Sequence, residues 1–95
     1  MQESEAACRE AMQIRRDLAA LDPGAYRPAL ATTLSVFGMV YISMQRPAEA
    51  RNLLEEALSI YQDLATASPA IYAGKIEQLN KLIPQTDALT RATKP

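Results

Sequence analysis

Apolar residues recur along this chain in steps of four and three, and prolines interrupt the rhythm. Ala7, Ala11, Ile14, Leu18 and Leu21 form a first stripe, and Leu30, Leu34, Phe37, Tyr41 and Met44 a second. Ala50, Leu54, Ala57, Tyr61 and Leu64 form a third, and Tyr72, Ile76, Leu79 and Ile83 a fourth. Residues three and four apart are neighbours on a helix surface, so each stripe marks one face of an amphipathic α-helix. The pattern predicts helices over residues 3–21, 27–44, 47–66 and 69–83. Asp22-Pro23-Gly24 stops the first helix and supplies a cap for the second. Pro28 lacks the N–H that would reach four residues back, which predicts that residues 23–26 form a single turn and that the second helix starts at Arg27. Gln45-Arg46-Pro47 is a link short enough to force the next helix back antiparallel, and Ser68-Pro69 repeats the cap-then-proline signal. Pro84 is expected to end the fourth helix. Residues 85–95 then form a polar tail with Ala88 and Leu89 as its candidates for burial, making at most one more helical turn before fraying.

The chain also says one thing twice. Glu3, Glu10, Ala11, Ile14, Asp17, Leu18, Pro23 and Tyr26 return 46 residues later as Glu49, Glu56, Ala57, Ile60, Asp63, Leu64, Pro69 and Tyr72. A fixed period of this length marks stacked supersecondary units, because one such unit buries its apolar face only against a neighbour. A composition rich in Ala, Leu, Glu, Gln and Arg, without Trp, agrees with an all-α fold of about four helices in antiparallel helix-turn-helix repeats. At 95 residues the chain is expected to be one small domain or a slice of a longer array. Residues 1–84 are read as that repeat domain, with one whole repeat over 27–66 and partial repeats on both sides.

Leu34, Phe37-Gly38, Tyr41, Ala50, Leu54 and Ala57-Leu58 resemble the tetratricopeptide repeat signature: a large residue, an apolar–Gly pair and an aromatic on one helix, then Ala, a large residue and Ala on the next. The physical sense is legible. Gly inside a helix costs about 1 kcal/mol against Ala, so Gly38 is expected where another backbone comes close, at Ala50. Pro69 arrives about two turns later than in the usual 34-residue unit. The chain is therefore similar to the long-helix repeats of kinesin light chain and of bacterial multi-repeat proteins, with Ala57-Leu58-Ser59-Ile60 and Ala11-Met12-Gln13-Ile14 preceding the two proline turns.

The resemblance implies a non-catalytic scaffold whose leading helices line a groove for a protein or an extended peptide. Residues of the second helix that turn away from its packed stripe are Thr32, Ser35, Val36, Met39, Ile42 and Ser43. They are small, neutral and partly apolar, which suits a ligand that brings apolar side chains and backbone hydrogen bonds. The subclass that grips a carboxylate carries Lys, Arg and Asn where this chain has Ser35, Val36 and Met39, so an acidic tail is not the expected ligand. Met39 and Ile42 also fit a plainer role in the core or in a subunit contact. In the alternative reading, the chain is a structural assembly piece that pairs with another copy as a homodimer, because the Ala7-to-Leu21 stripe has no preceding helix here to cover it.

The remaining chemistry mainly excludes. There is no His, which removes the commonest general base and metal ligand, and neither a phosphate-cradling glycine loop nor a metal-ligand cluster is present. No catalytic residue, metal or cofactor is expected. Ten Lys+Arg against eleven Asp+Glu give a net charge of −1 without a basic stripe, which argues against nucleic acid as a partner. The apolar stretch around Val36 to Ile42 is far shorter than the roughly 20 residues of a membrane span. A lone Cys8 and the absence of a signal-peptide pattern point to the cytoplasm. Shifted by one period, Cys8 falls on Leu54 and should point inward as a small hydrophobe.

Overall fold

The computed structural model describes residues 2–93, and the side chains of residues 6–91. Four helices follow one another: α1 (Gln2–Leu21), α2 (Pro23–Ser43), α3 (Pro47–Ala65) and α4 (Pro69–Thr93). Each packs chiefly on its neighbour in sequence. The contacts show the direction of the chain. Arg27 meets Asp63, Thr32 meets Tyr61 and Gly38 meets Leu54, so α3 runs back along α2. Tyr61 meets Tyr72 and Arg51 meets Asp87, so α4 runs back along α3. The Cα atoms fill a slab of 44 × 28 × 14 Å, the thickness of two helix layers at about 10 Å between axes. One layer holds α1 and α3, the other α2 and α4.

Met12, Leu30, Leu34, Leu54, Ile60, Tyr61 and Leu79 make the core between the layers. At its centre a Cβ on Gly38 would lie 2.6 Å from Leu54 Cδ2 and 3.5 Å from the Ala50 carbonyl oxygen. The close neighbour is thus the Leu54 side chain first and the Ala50 backbone second, whereas the sequence pointed to the backbone. Leu54 is fully buried, so this close approach is what the missing side chain of Gly38 permits.

Two prolines lie inside helices that the sequence broke at them. Helix α2 begins at Pro23 and runs through Pro28, and Asp22 caps it by accepting a hydrogen bond from the Ala25 N–H. Helix α4 runs through Pro84 to Thr93, so residues 85–93 are helical and not a frayed tail; residues 94 and 95 lie outside the described residues. The physical reason is the same in both. Proline deprives the carbonyl four residues earlier of its partner, here Gly24 and Asn80, and both belong to exposed residues, where a lost backbone bond costs less than in the core. Beyond Pro84, Thr86 is fully buried with its hydroxyl donating to the Ile83 carbonyl at 2.6 Å, and Asp87 is held by Arg51 at 2.6 Å. Burial and that tether hold the last two turns in place.

The turn between α2 and α3 closes by two backbone bonds, from the Arg46 N–H to the Tyr41 carbonyl and from the Gln45 N–H to the Ile42 carbonyl. This is the Schellman arrangement, and it needs a left-handed residue between cap and next turn. Gln45 fills that place with φ of 60°.

Helix α1 buries a different face from the stripe that announced it. Cys8, Met12 and Ala19 pack inward, as the alignment of Cys8 with Leu54 required. Ile14 and Leu21 stay 53% and 83% exposed, and Ala7 is exposed too.

Candidate functional site

A shallow groove of about 140 Å³ runs between α2 and α4 with Tyr61 of α3 beneath it. Four of the six residues singled out from the sequence line it: Thr32, Ser35, Val36 and Met39. Val36 and Met39 are 45% and 39% exposed, a small apolar surface open to solvent. Ile42 is half-buried and packs against the core, and the exposed Ser43 lies outside the groove. Helical spacing explains the split. Thr32, Ser35, Val36 and Met39 step by three, one and three along one face, while the end of α2 turns into the Gln45 link beside α3.

The hydroxyls on α2 are directed back into their own helix. Thr32 Oγ1 donates to the Pro28 carbonyl at 3.0 Å, Ser35 Oγ to the Ala31 carbonyl at 3.0 Å and Ser43 Oγ to the Met39 carbonyl at 3.3 Å. With its proton committed, Thr32 accepts at 3.0 Å from the Tyr61 hydroxyl. The α2 wall therefore offers methyl groups, methylenes and acceptor lone pairs, but few donors.

Donors come from the opposite wall. Lys75 and Gln78 of α4 line the groove beside Leu79 and Leu82, and the Lys75 ammonium sits 5.8 Å from the centroid of the Tyr61 ring. The sequence reading missed this wall. The period carries part of it: shifted by 46 residues, Thr32 becomes Gln78 and Val36 becomes Leu82. Lys75 corresponds to Ala29, so no repeat signal announces it.

A wider opening of about 530 Å³ lies on the outer side of α4, lined by Ala65, Pro69, Ala73, Ile76, Glu77, Asn80 and Lys81. Its lining shows what it is. One period earlier, Leu30, Ala31 and Leu34 are the buried face of α2, and their counterparts here are Ile76, Glu77 and Asn80. Lys81 and Glu77 form an exposed pair at 3.4 Å across it. Polar replacements and a solvated ion pair make this a water-facing side of α4, so the narrower groove is the better candidate.

Among the described residues no cluster of His, Cys, Asp or Glu could hold a metal ion, and no helix is long and apolar enough to cross a membrane. With the helical layers and the groove in place, the family follows from comparison. The family model described as tetratricopeptide repeat matches residues 1–63, two helices and most of a third. The chain belongs to the tetratricopeptide repeat family. No curated protein and no solved structure matches it significantly. Tetratricopeptide repeats are typically non-catalytic and mediate contacts between proteins, and the Leu34, Gly38, Ala50, Leu54 and Ala57 positions that carry the signature are all fully or nearly fully buried at the α2–α3 contact.

Proposed function

We propose that this tetratricopeptide domain is a non-catalytic binding module that holds an extended peptide in the groove between α2 and α4. Apolar side chains of the ligand lie against Val36, Met39 and Leu82, and its backbone carbonyls accept from Lys75 and Gln78. The observation that carries this reading is the pairing of two walls of opposite character. An exposed apolar α2 wall whose hydroxyls are already committed faces an α4 wall that supplies the donors. An extended peptide presents both side chains and backbone acceptors, and so matches both walls at once. Ile42 and Ser43 contribute at most the end of the groove. With a net charge of −1 the chain is not built for nucleic acid, and a buried lone Cys8 suits a reducing cytoplasmic setting.

The test is a peptide-array screen of the whole chain, followed by titration of the hits. Met39→Glu sets a carboxylate against the apolar ligand and is expected to weaken groove binding by about tenfold or more. Lys75→Ala should weaken it less. Hits that bind Met39→Glu as well as the parent chain would remove the groove from consideration.

A further inference from the structure

Of the nine residues that line the groove between α2 and α4, one is charged, and it is the cation Lys75. Lys75 is exposed, and the residues three and four positions from it along α4 are Ile71, Tyr72, Gln78 and Leu79, none of them acidic. The acids closest in sequence to Tyr61 and Lys75 are engaged elsewhere, Asp63 with Arg27 at 2.9 Å and Glu77 with Lys81 on the outer side of α4. Among the described residues no carboxylate pairs with the Lys75 ammonium. What holds it is the Tyr61 ring, 5.8 Å away. That ring is 2% exposed and fixed on two sides, by its hydroxyl against Thr32 at 3.0 Å and by the Tyr72 ring at 5.7 Å. The groove thus presents a positioned cation at one level and the apolar Val36, Met39 and Leu82 beyond it.

We infer that the groove selects a peptide with an acidic side chain two residues from an aliphatic one. The inference rests on the peptide-binding reading above and names what that site takes. An ammonium has three donors, so Lys75 meets a side-chain carboxylate while still serving a backbone carbonyl, and Gln78 one turn on adds a second donor. The α2 wall does not suit the acid, because Thr32 and Ser35 present lone pairs there. No free C-terminal carboxylate is needed.

The spacing comes from the helices. The bond between Tyr61 and Thr32 places the ammonium near the level of Thr32 and Gln78. Val36 and Leu82 lie four residues further along the two parallel helices, a rise of about 6 Å. In an extended chain, side chains two apart share a face and stand about 7 Å from each other. Side chains one or three apart face opposite ways, so neither spacing reaches both levels of the groove. The chain as a whole carries a charge of −1, so a preference for acid comes from this one ammonium and not from the overall field.

The probes are fluorescent peptides with both ends blocked, holding one leucine and one glutamate in an alanine–serine background at separations of one, two and three residues. Anisotropy with the whole chain should show saturable binding that is tightest at a separation of two. Glutamine in place of the glutamate should weaken it about three- to fivefold, and added salt should erase that difference. Lys75→Glu should weaken the glutamate peptide about tenfold, and should bind a peptide with lysine in that place better than the parent chain does. Unchanged urea unfolding of Lys75→Glu shows that the effect is one of binding. Equal binding of the glutamate and glutamine peptides, no preference for a separation of two, or no binding by any of the probes overturns the inference. The groove itself is tested apart with Met39→Ser, which adds no charge. Array hits that Met39→Ser weakens keep the groove even where glutamate proves indifferent. Glutamate peptides that Lys75→Glu rejects and Met39→Ser leaves untouched remove the groove and the inference with it.

Discussion

Where α3 meets α4, the Tyr72 ring lies 5.7 Å from the Tyr61 ring and Lys75 sits over Tyr61. Where α1 meets α2, one period earlier, Arg15 takes the place of Tyr61, and Tyr26 is left 37% exposed without a ring to pack on. The two junctions share their prolines, their tyrosines and much of their stripe. They differ in what lies behind them. Helix α3 is held between α2 and α4 and buries Ala50, Leu54, Ala57, Ile60 and Tyr61, whereas α1 has one neighbour of this kind and buries Cys8, Met12 and Ala19. A repeated pattern specifies the helix, and the number of neighbours decides how much of its stripe is used.

Substitutions at equivalent positions turn that contrast into numbers. Leu54 is fully buried at the α2–α3 contact, and Leu54→Ala should cost about 3 kcal/mol in urea unfolding with little change in slope. Cys8→Ala removes one sulfur at the edge of a thinner contact and should cost about 1 kcal/mol or less. Equal losses would mean that α1 is as firmly held as α3, and the contrast between the junctions would fail.

The glycines extend the comparison to opposite signs. Alanine at Gly38 gains about 1 kcal/mol of helix propensity, but its Cβ meets a packed Leu54 at 2.6 Å, and overpacking of this kind costs about 1–3 kcal/mol. The net expectation for Gly38→Ala is a loss of up to about 2 kcal/mol, measured by the same unfolding curves. A Cβ on Gly74, inside α4, meets nothing within 4 Å, so Gly74→Ala should stabilise by up to about 1 kcal/mol. Gln45→Gly relieves a left-handed non-glycine residue in the α2–α3 turn and should also stabilise, by about 1 kcal/mol or less. A destabilised Gly74→Ala would show that α4 is packed by something on that side.

Helix number, order and direction were legible in the sequence because apolar periodicity and short proline links are local signals. The inward placement of Cys8 was legible through the period. Ile14 and Leu21 were misleading, since a stripe records the neighbours a repeat is built to have and not those present. Pro28 and Pro84 were over-read as breaks: the sequence shows the missing N–H but not that Gly24 and Asn80 face water. In the groove, Thr32, Ser35, Val36 and Met39 followed from helical facing. Lys75 did not, because which residue of α4 comes to face α2 depends on the packing of two helices with all of α3 between them in sequence. The direction of the Thr32 and Ser35 hydroxyls was equally out of reach, since either could have pointed to solvent.

The finest test concerns the ion pair that bridges the two junctions. Arg16 reaches from α1 to Glu56 of α3 with two parallel hydrogen bonds, past the α2 helix that both pack on. Its side chains are 33% and 40% exposed, so water screens much of the attraction. Bidentate geometry keeps it above the median surface pair, and a double-mutant cycle with Arg16→Ala and Glu56→Ala should give a coupling of about 0.5–1 kcal/mol that falls with added salt. Arg27 with Asp63 is a single bond between helices already joined by extensive packing, with Asp63 at 63% exposure, and should couple more weakly. If the ranking reversed, the ion pairs would follow the packing around them. If it holds, the row of acids on α3 ties the loosely held α1 to the better-packed pair.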